Sequence, residues 1–323
     1  MAQLRYAHAI NQALADAMVA DDSVVVLGED IAEAGGSFKV TRGLVDRFGP
    51  ARVIDTPISE ATIASAAVGA AMSGLRPVLE IMFMDFVTLA MDALVNQAAK
   101  ARFMFGGRTS VPMVARMPHG GGLSAGPQHS QCLEAWFAHV PGLKVVCPSS
   151  PQDAYSLMRS AIEDPDPVIF VEHKALYAGR GEVDTGLRVP LGQARVVRTG
   201  TDLTLVSYGA TVGTCLAVAE QLAAEGVEAE VIDLRTLQPW DEKTVFASVA
   251  RTHRVMVVHE AVQAFGVGAE IAARIAEDAF DELDAPVVRV GAPFMPVPFS
   301  SALEKQYGVD ADRIVAGVRR VLA

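Results

Sequence analysis

The feature that most constrains this chain is a regular alternation of helical segments with short runs of β-branched and aliphatic residues. A helical pattern over residues 6–20 precedes the apolar run 24–27, and the same order recurs up to the final helical pattern near residues 311–322. Helices that alternate with short buried strands favour parallel sheets covered by helices on both faces. We therefore predict an α/β fold with two doubly wound open sheets.

The length of the chain indicates two domains. It has 323 residues, and a domain usually takes roughly 100–200. Between residues 177 and 201, glycines and charged residues interrupt both helical and strand periodicity, which is typical of a linker. We therefore predict a first domain over residues 1–176, a linker over residues 177–201 and a second domain over residues 202–323.

Composition disfavours several classes of protein. The net charge of −11 and the lack of a basic run argue against nucleic-acid binding. The longest apolar stretch, residues 61–75, is shorter than the roughly 20 residues that span a bilayer. Three cysteines without a CxxC pair fit a reducing compartment, and the pattern of the first residues does not predict a secretory signal. We expect a cytoplasmic protein that contacts neither nucleic acid nor membrane.

The first candidate for chemistry is Glu60. It follows the short strand near residues 53–54 and begins the most apolar helical segment of the chain. Ligands of open α/β sheets bind at such points, where strands end and helices begin. An acid at a helix N-terminus can merely be stabilised by the helix dipole, or it can be a buried carboxylate that exchanges a proton with a heterocycle. From the residues alone, both interpretations stay open.

The second candidate is the glycine-rich segment 118–131. It matches neither a P-loop nor a dinucleotide fingerprint, so it indicates either a flexible loop or a close approach of backbone to a ligand. We predict that a helix begins near residue 130. His129 precedes it among polar neighbours, a setting that favours an active imidazole over a core histidine. Phe86 is by default a core aromatic.

A set of short motifs gives a more specific indication. They are Leu27-Gly28-Glu29-Asp30, Lys39-Val40-Thr41-Arg42-Gly43-Leu44, Asp55-Thr56-Pro57-Ile58-Ser59-Glu60, Gly74-Leu75-Arg76-Pro77, Gln128-His129-Ser130-Gln131, Pro141-Gly142-Leu143-Lys144-Val145-Val146 and Asp233-Leu234-Arg235-Thr236-Leu237. In this order the chain resembles the beta subunit of thiamine diphosphate-dependent 2-oxo acid dehydrogenases. The resemblance implies a pyrimidine-binding domain followed by a transketolase C-terminal-like domain.

The resemblance also implies roles for individual residues. Glu60 resembles the carboxylate that hydrogen-bonds the aminopyrimidine ring of the cofactor. Ile58 and Phe86 resemble the apolar contacts to that ring, and Glu29 matches a position near the cofactor. His129 resembles the histidine associated with transfer of the acyl group to a lipoyl arm.

Two metal ions are implied by the same resemblance. A potassium ion would be held largely by backbone oxygens of the residues that match the family's site: Met113, Ala161, Ile162, Asp164 and Asp166. Magnesium would hold the cofactor's diphosphate, but the Gly-Asp-Gly motif for it is absent from this chain. We therefore expect a separate alpha subunit that supplies the magnesium site, in an α2β2 tetramer.

The resulting hypothesis is a beta subunit that decarboxylates a 2-oxo acid, pyruvate in preference, or cleaves acetoin. The acyl group would pass to a lipoyl-bearing dihydrolipoamide acyltransferase. One alternative is a two-component thiamine diphosphate enzyme that forms acyloins or transfers ketol units without a lipoyl partner. Another is a non-catalytic scaffold, in which Glu60 would only stabilise its helix.

Overall fold

The computed structural model describes all residues, 1–323. The strands are β1 (Ala2–Arg5), β2 (Val24–Gly28), β3 (Val53–Asp55), β4 (Arg76–Glu80), β5 (Val114–His119), β6 (Lys144–Val146), β7 (Val168–His173), β8 (Arg180–Val183), β9 (Arg195–Arg198), β10 (Leu203–Ser207), β11 (Ala229–Asp233), β12 (Thr236–Gln238), β13 (Val255–Val262) and β14 (Val288–Ala292). The α-helices are α1 (Tyr6–Ala20), α2 (Leu44–Phe48), α3 (Glu60–Met72), α4 (Ala99–Met104), α5 (Glu134–Ala138), α6 (Pro151–Glu163), α7 (Thr211–Ala224), α8 (Glu242–Thr252), α9 (Val267–Asp278), α10 (Ser301–Tyr307) and α11 (Ala311–Leu322). None of the helices is both long and apolar enough to cross a membrane.

Two large sheets organise the chain. The first has seven strands in the order β12-β6-β7-β5-β4-β2-β3, and all of its pairings are parallel except that of β12 with β6. The second has five strands in the order β14-β13-β10-β11-β9, and only β9 is antiparallel to its neighbour. The predicted α/β class with two mainly parallel open sheets is therefore confirmed.

Apolar side chains from both sheets and from the helices packed against them share one core. Successive residues of a strand point to opposite faces, so Leu79 joins a core of 41 buried residues while Val78 joins a separate core of 30. The larger core also contains Val206 and Val257 from the second sheet. A face of each sheet thus packs into one shared core, which holds the two halves of the chain together.

The segment 177–201 contains more regular structure than a linker. Within it, β8 pairs with β1 and β9 pairs with β11, both antiparallel. Each of these strands has four residues and most of its side chains are at least partly exposed, so the sequence lacks a strong strand pattern there. In addition, β12 lies beyond residue 202 and yet pairs with β6 of the first sheet. The division at residues 176 and 202 stays a prediction.

Two predicted helices differ from the structure. The helical pattern of the sequence predicts one helix over residues 86–101, but this segment consists of a 3-10 helix over Met84–Leu89, a π-helix over Asp92–Ala98 and then α4. The helix expected from residue 130 begins only at Glu134. The segment before α5 is held by the exit of β4: the Gln131 backbone N–H and side-chain amide both donate to the Asp85 carboxylate, at 3.3 and 2.9 Å. His129 therefore lies in the loop.

A buried ion network joins three neighbouring strands of the first sheet. Arg116 on β5 is fully buried and donates from Nε and Nη2 to the two carboxylate oxygens of Glu172 on β7, at 2.7 and 2.6 Å. Its Nη1 donates to Glu80 on β4. Burial raises the pKa of Glu80 above its ordinary value, and the Arg116 charge opposes this increase.

We expect that Arg116→Met lowers the free energy of unfolding by about 3–5 kcal/mol, because it leaves two carboxylates buried without a cation. Urea unfolding followed by circular dichroism measures the loss. Arg274→Met is the matched control, since Arg274 pairs with Asp278 on the surface and should not change stability measurably. Equal stability of the two variants would contradict a structural role for the network.

Candidate active site

The predicted site residues meet at one edge of the first sheet. The carboxyl ends of its parallel strands lie at this edge, and the residues that follow them are Glu29 after β2, Ile58 and Glu60 after β3, Phe86 after β4 and His129 after β5. Ligands bind at this edge in open α/β sheets. The structure forms two groups from these residues, a pair of carboxylates and a cluster of aromatic rings.

The carboxylates of Glu29 and Glu60 form the first group. Both residues are buried, with 4% and 5% of their surface exposed. They approach each other because β2 and β3 are adjacent, with Gly28 opposite Asp55. Burial and the neighbouring Glu60 carboxylate raise the pKa of Glu29. One oxygen of Glu29 has no hydrogen-bond partner in the chain, so the pair can accept or donate a hydrogen bond at a ligand.

Ile58 lies beside this pair and points away from the core. It is 84% exposed although it stands only two residues before the buried Glu60. The adjoining face of α3 carries small or polar exposed residues over most of its length, as at Ala61, Ser65 and Gly69, and ends with the exposed Met72. An exposed apolar side chain next to buried carboxylates can contact the apolar part of a ligand.

The second group consists of Phe83, Phe86 and His129. The His129 ring centroid lies 5.4 Å from that of Phe86 and 4.9 Å from that of Phe83, with both pairs nearly perpendicular. Edge-to-face geometry of this kind is favourable between aromatic rings. The structure thus brings the predicted Phe86 and His129 together on neighbouring strand exits.

Lys174 is a residue of this site that the sequence did not reveal. It follows β7, and its ammonium group donates to the His129 carbonyl oxygen and lies 5.3 Å from the Phe83 ring centroid. Burial lowers the pKa of Lys174 below its ordinary value. Its position after a parallel strand, in the sequence His173-Lys174, was the available signal, but a lone lysine after a strand is too common to be specific.

One cluster contains three side chains of metal-ligand type: His119 and Glu134, which are buried, and Cys132, which is partly buried. Their ligand atoms lie within 4.8 Å of one another. Burial lowers the pKa of His119 to about 3 and raises the pKa values of Cys132 and Glu134. Burial thus disfavours the charged form of each side chain, and one Glu134 oxygen is already hydrogen-bonded by the Tyr208 hydroxyl at 2.8 Å.

The residues expected to bind potassium lie at the opposite end of the first sheet, near the end of α6 and the start of β5 and β7: Met113, Ala161, Ile162, Asp164 and Asp166. The Arg76 guanidinium donates to the carbonyl oxygens of Ile162 and Asp164, at 2.7 and 3.2 Å. Lys144 donates to both carboxylate oxygens of Asp164. A potassium ion would share these oxygens with the two cationic side chains, and the site stays a prediction.

Comparison with protein families defines the class of the chain. The family model for the transketolase pyrimidine-binding domain matches residues 2–180, and that for the transketolase C-terminal domain matches residues 192–314. A solved structure described as a split-gene transketolase, inactive beta4 tetramer, has the same fold: it is 24% identical, with a TM-score of 0.83 over 99% of this chain and 98% of that one. The chain therefore belongs to the transketolase-like proteins, a class whose members depend on thiamine diphosphate.

Two relatives narrow the family further. The beta-2 subunit of the mitochondrial pyruvate dehydrogenase E1 component from Oryza sativa subsp. japonica is 44% identical, over 97% of this chain and 84% of the relative. The beta subunit of acetoin:2,6-dichlorophenolindophenol oxidoreductase from Bacillus subtilis (strain 168) is 47% identical, over 95% and 94%. The chain belongs to the family of beta subunits of 2-oxo acid dehydrogenase E1 components and their acetoin-oxidising relatives.

Proposed function

We propose that the chain acts, with an alpha subunit, as an acyl-transferring dehydrogenase that decarboxylates pyruvate in preference to other 2-oxo acids, or cleaves acetoin. The acyl group would pass to the lipoyl group of a dihydrolipoamide acyltransferase. The observation that carries the proposal is the meeting of a buried carboxylate pair and an aromatic-imidazole cluster at one strand edge.

The residues at this edge fit the aminopyrimidine half of thiamine diphosphate. Glu60 would hold a proton at a ring nitrogen, and the unpartnered oxygen of Glu29 supports a second polar contact nearby. Phe86 would pack on the ring and the exposed Ile58 would contact its apolar edge. When bound, thiamine diphosphate supplies the electron sink that loss of carbon dioxide requires.

His129 would act after decarboxylation. Its imidazole lies against Phe83 and Phe86, while its carbonyl oxygen is held by Lys174. A half-buried imidazole beside the substrate can donate a proton to a leaving sulfur atom of the lipoyl ring. This would assign proton transfer at the cofactor to Glu60 and proton transfer at the lipoyl group to His129.

A separate alpha subunit is part of the proposal. The chain contains no Gly-Asp-Gly segment, so the magnesium ion and the diphosphate would be bound by that subunit. The exposed face of α3 and the exposed Ile58 next to it support a subunit interface at this edge, in an α2β2 assembly. Potassium binding and a cytoplasmic location also remain predictions; some relatives are mitochondrial by name.

We expect thiamine diphosphate-dependent turnover when the chain is co-purified with a candidate alpha subunit from the same organism. Pyruvate, acetoin and branched-chain 2-oxo acids are each supplied with 2,6-dichlorophenolindophenol as electron acceptor, and reduction of the dye is followed. Turnover of one substrate identifies the reaction. Bound cofactor without oxidation would favour the acyloin-forming or ketol-transferring alternative, and failure to bind the cofactor would favour the scaffold.

A further inference from the structure

The loop that carries His129 is held by the second half of the chain. This loop, residues 120–131, follows β5 and is rich in glycine, so little in its own sequence fixes its conformation. Two of its glycines, Gly120 and Gly126, have φ values of +86° and +77°. A Cβ atom at Gly120 would collide with the His173 ring, and one at Gly126 would collide with the Phe299 ring. The loop is therefore closely packed on both sides.

Glu304 binds the middle of the loop. One of its carboxylate oxygens accepts the Gly122 backbone N–H at 2.8 Å, and the other accepts the Ser124 backbone N–H at 2.8 Å and the Ser124 hydroxyl at 3.2 Å. Glu304 lies on α10, a short helix, and is itself buried. Hydrogen bonds from backbone N–H groups to a carboxylate are stronger than those between neutral groups.

Glu260 binds the start of the loop. It lies on β13 of the second sheet, where it accepts the Gly121 backbone N–H at 2.7 Å and lies 2.5 Å from His173 Nε2. Burial alone would raise the pKa of Glu260, but His173 and the Gly121 N–H lower it to about 2. Glu260 is therefore a charged acceptor at neutral pH, and it links the loop to the exit of β7.

We propose that Glu304 and Glu260 are positioning residues, which order the loop from the second half of the chain and thereby hold His129 against Phe83 and Phe86. The inference deepens the proposed function and rests on the role given there to His129. Neither carboxylate touches the aromatic cluster, so each acts through the loop backbone. The second half of the chain would then contribute to acyl transfer through this loop.

The test uses Glu304→Ala in the complex with the alpha subunit. We expect amide hydrogen exchange in residues 120–126 to become about tenfold faster, because three hydrogen bonds to a carboxylate are lost. The ratio of lipoyl acylation to dye-linked turnover should fall about tenfold, since His129 loses its fixed position. Glu304→Gln retains one acceptor oxygen and should give smaller changes in the same direction.

Glu225→Ala is the matched control, because Glu225 is an exposed acid at the end of α7. It should change neither exchange nor the acylation ratio. Unchanged exchange in Glu304→Ala would overturn the proposal. If Glu304→Ala exchanges faster but acylates the lipoyl group at the wild-type rate, the positioning role is overturned, provided that acylation by His129→Ala is slow. If His129→Ala acylates normally, the role of His129 fails, and hydrogen exchange still decides whether Glu304 orders the loop.

Discussion

Glu60→Gln should abolish decarboxylation, with a loss of about 10²–10⁴-fold in dye-linked turnover, because glutamine cannot hold or exchange the proton at the cofactor ring. The substitution preserves the size of the side chain, which is only 5% exposed. Assembly with the alpha subunit should therefore be unchanged. Turnover is measured with saturating thiamine diphosphate, and assembly by size-exclusion chromatography.

The control for this variant is Glu270→Gln. Glu270 also lies in the first turn of a helix, α9, where it interacts with the helix dipole, but it is exposed. If Glu60 served only to stabilise its helix, the two variants should have similarly small effects on stability and no effect on turnover. Retained turnover in Glu60→Gln would rule out the proton-transfer role.

His129→Ala should separate the two halves of the reaction. Dye-linked decarboxylation should stay within about threefold of wild type, while reductive acylation of a lipoyl domain should fall about 10²–10⁴-fold, the usual contribution of a proton donor. The dye takes electrons without a lipoyl group, so it bypasses the step assigned to the imidazole. Single-turnover acylation with a lipoyl domain as substrate gives the second rate.

His139→Ala provides the comparison, since His139 is an exposed histidine at the end of α5, ten residues along the chain. It should alter neither rate. An equal loss in both assays for His129→Ala would move His129 to an earlier step, on or before decarboxylation. A normal acylation rate would remove it from the reaction altogether.

Local sequence patterns were sufficient for the fold class and for the strand exits. Hydrophobic periodicity depends on residues close in sequence, so α1 and α11 begin and end where they were predicted. The same patterns predict the wrong helix bounds where contacts with residues distant in the sequence determine the backbone conformation. The segment before α5 is held by residues of the β4 exit, since Asp85 accepts the Gln131 N–H and Met84 Sδ accepts the Leu133 N–H, and α5 begins at Glu134 rather than near residue 130.

Sequence patterns indicate the candidate site only in part. Glu60 follows a predicted strand, and the structure brings Phe86 and His129, 43 residues apart in the chain, into ring contact at 5.4 Å. The environment of Glu29, by contrast, depends on the adjacency of β2 and β3. No local pattern indicates which strands will be neighbours, because strand order follows from how the helices cross the sheet.

The sequence by itself determined that this chain forms two mainly parallel open sheets, and it indicated the family through short motifs, several of which stand at strand exits. Only the tertiary structure decided how the halves cooperate: β12 crosses to the first sheet, and Glu260 and Glu304 bind a loop between 139 and 182 residues away. The physical reason is that these hydrogen bonds join groups far apart in the sequence, and only the packing of both sheets into the shared core brings those groups together. In the sequence alone, neither glutamate can be distinguished from an acid on the surface.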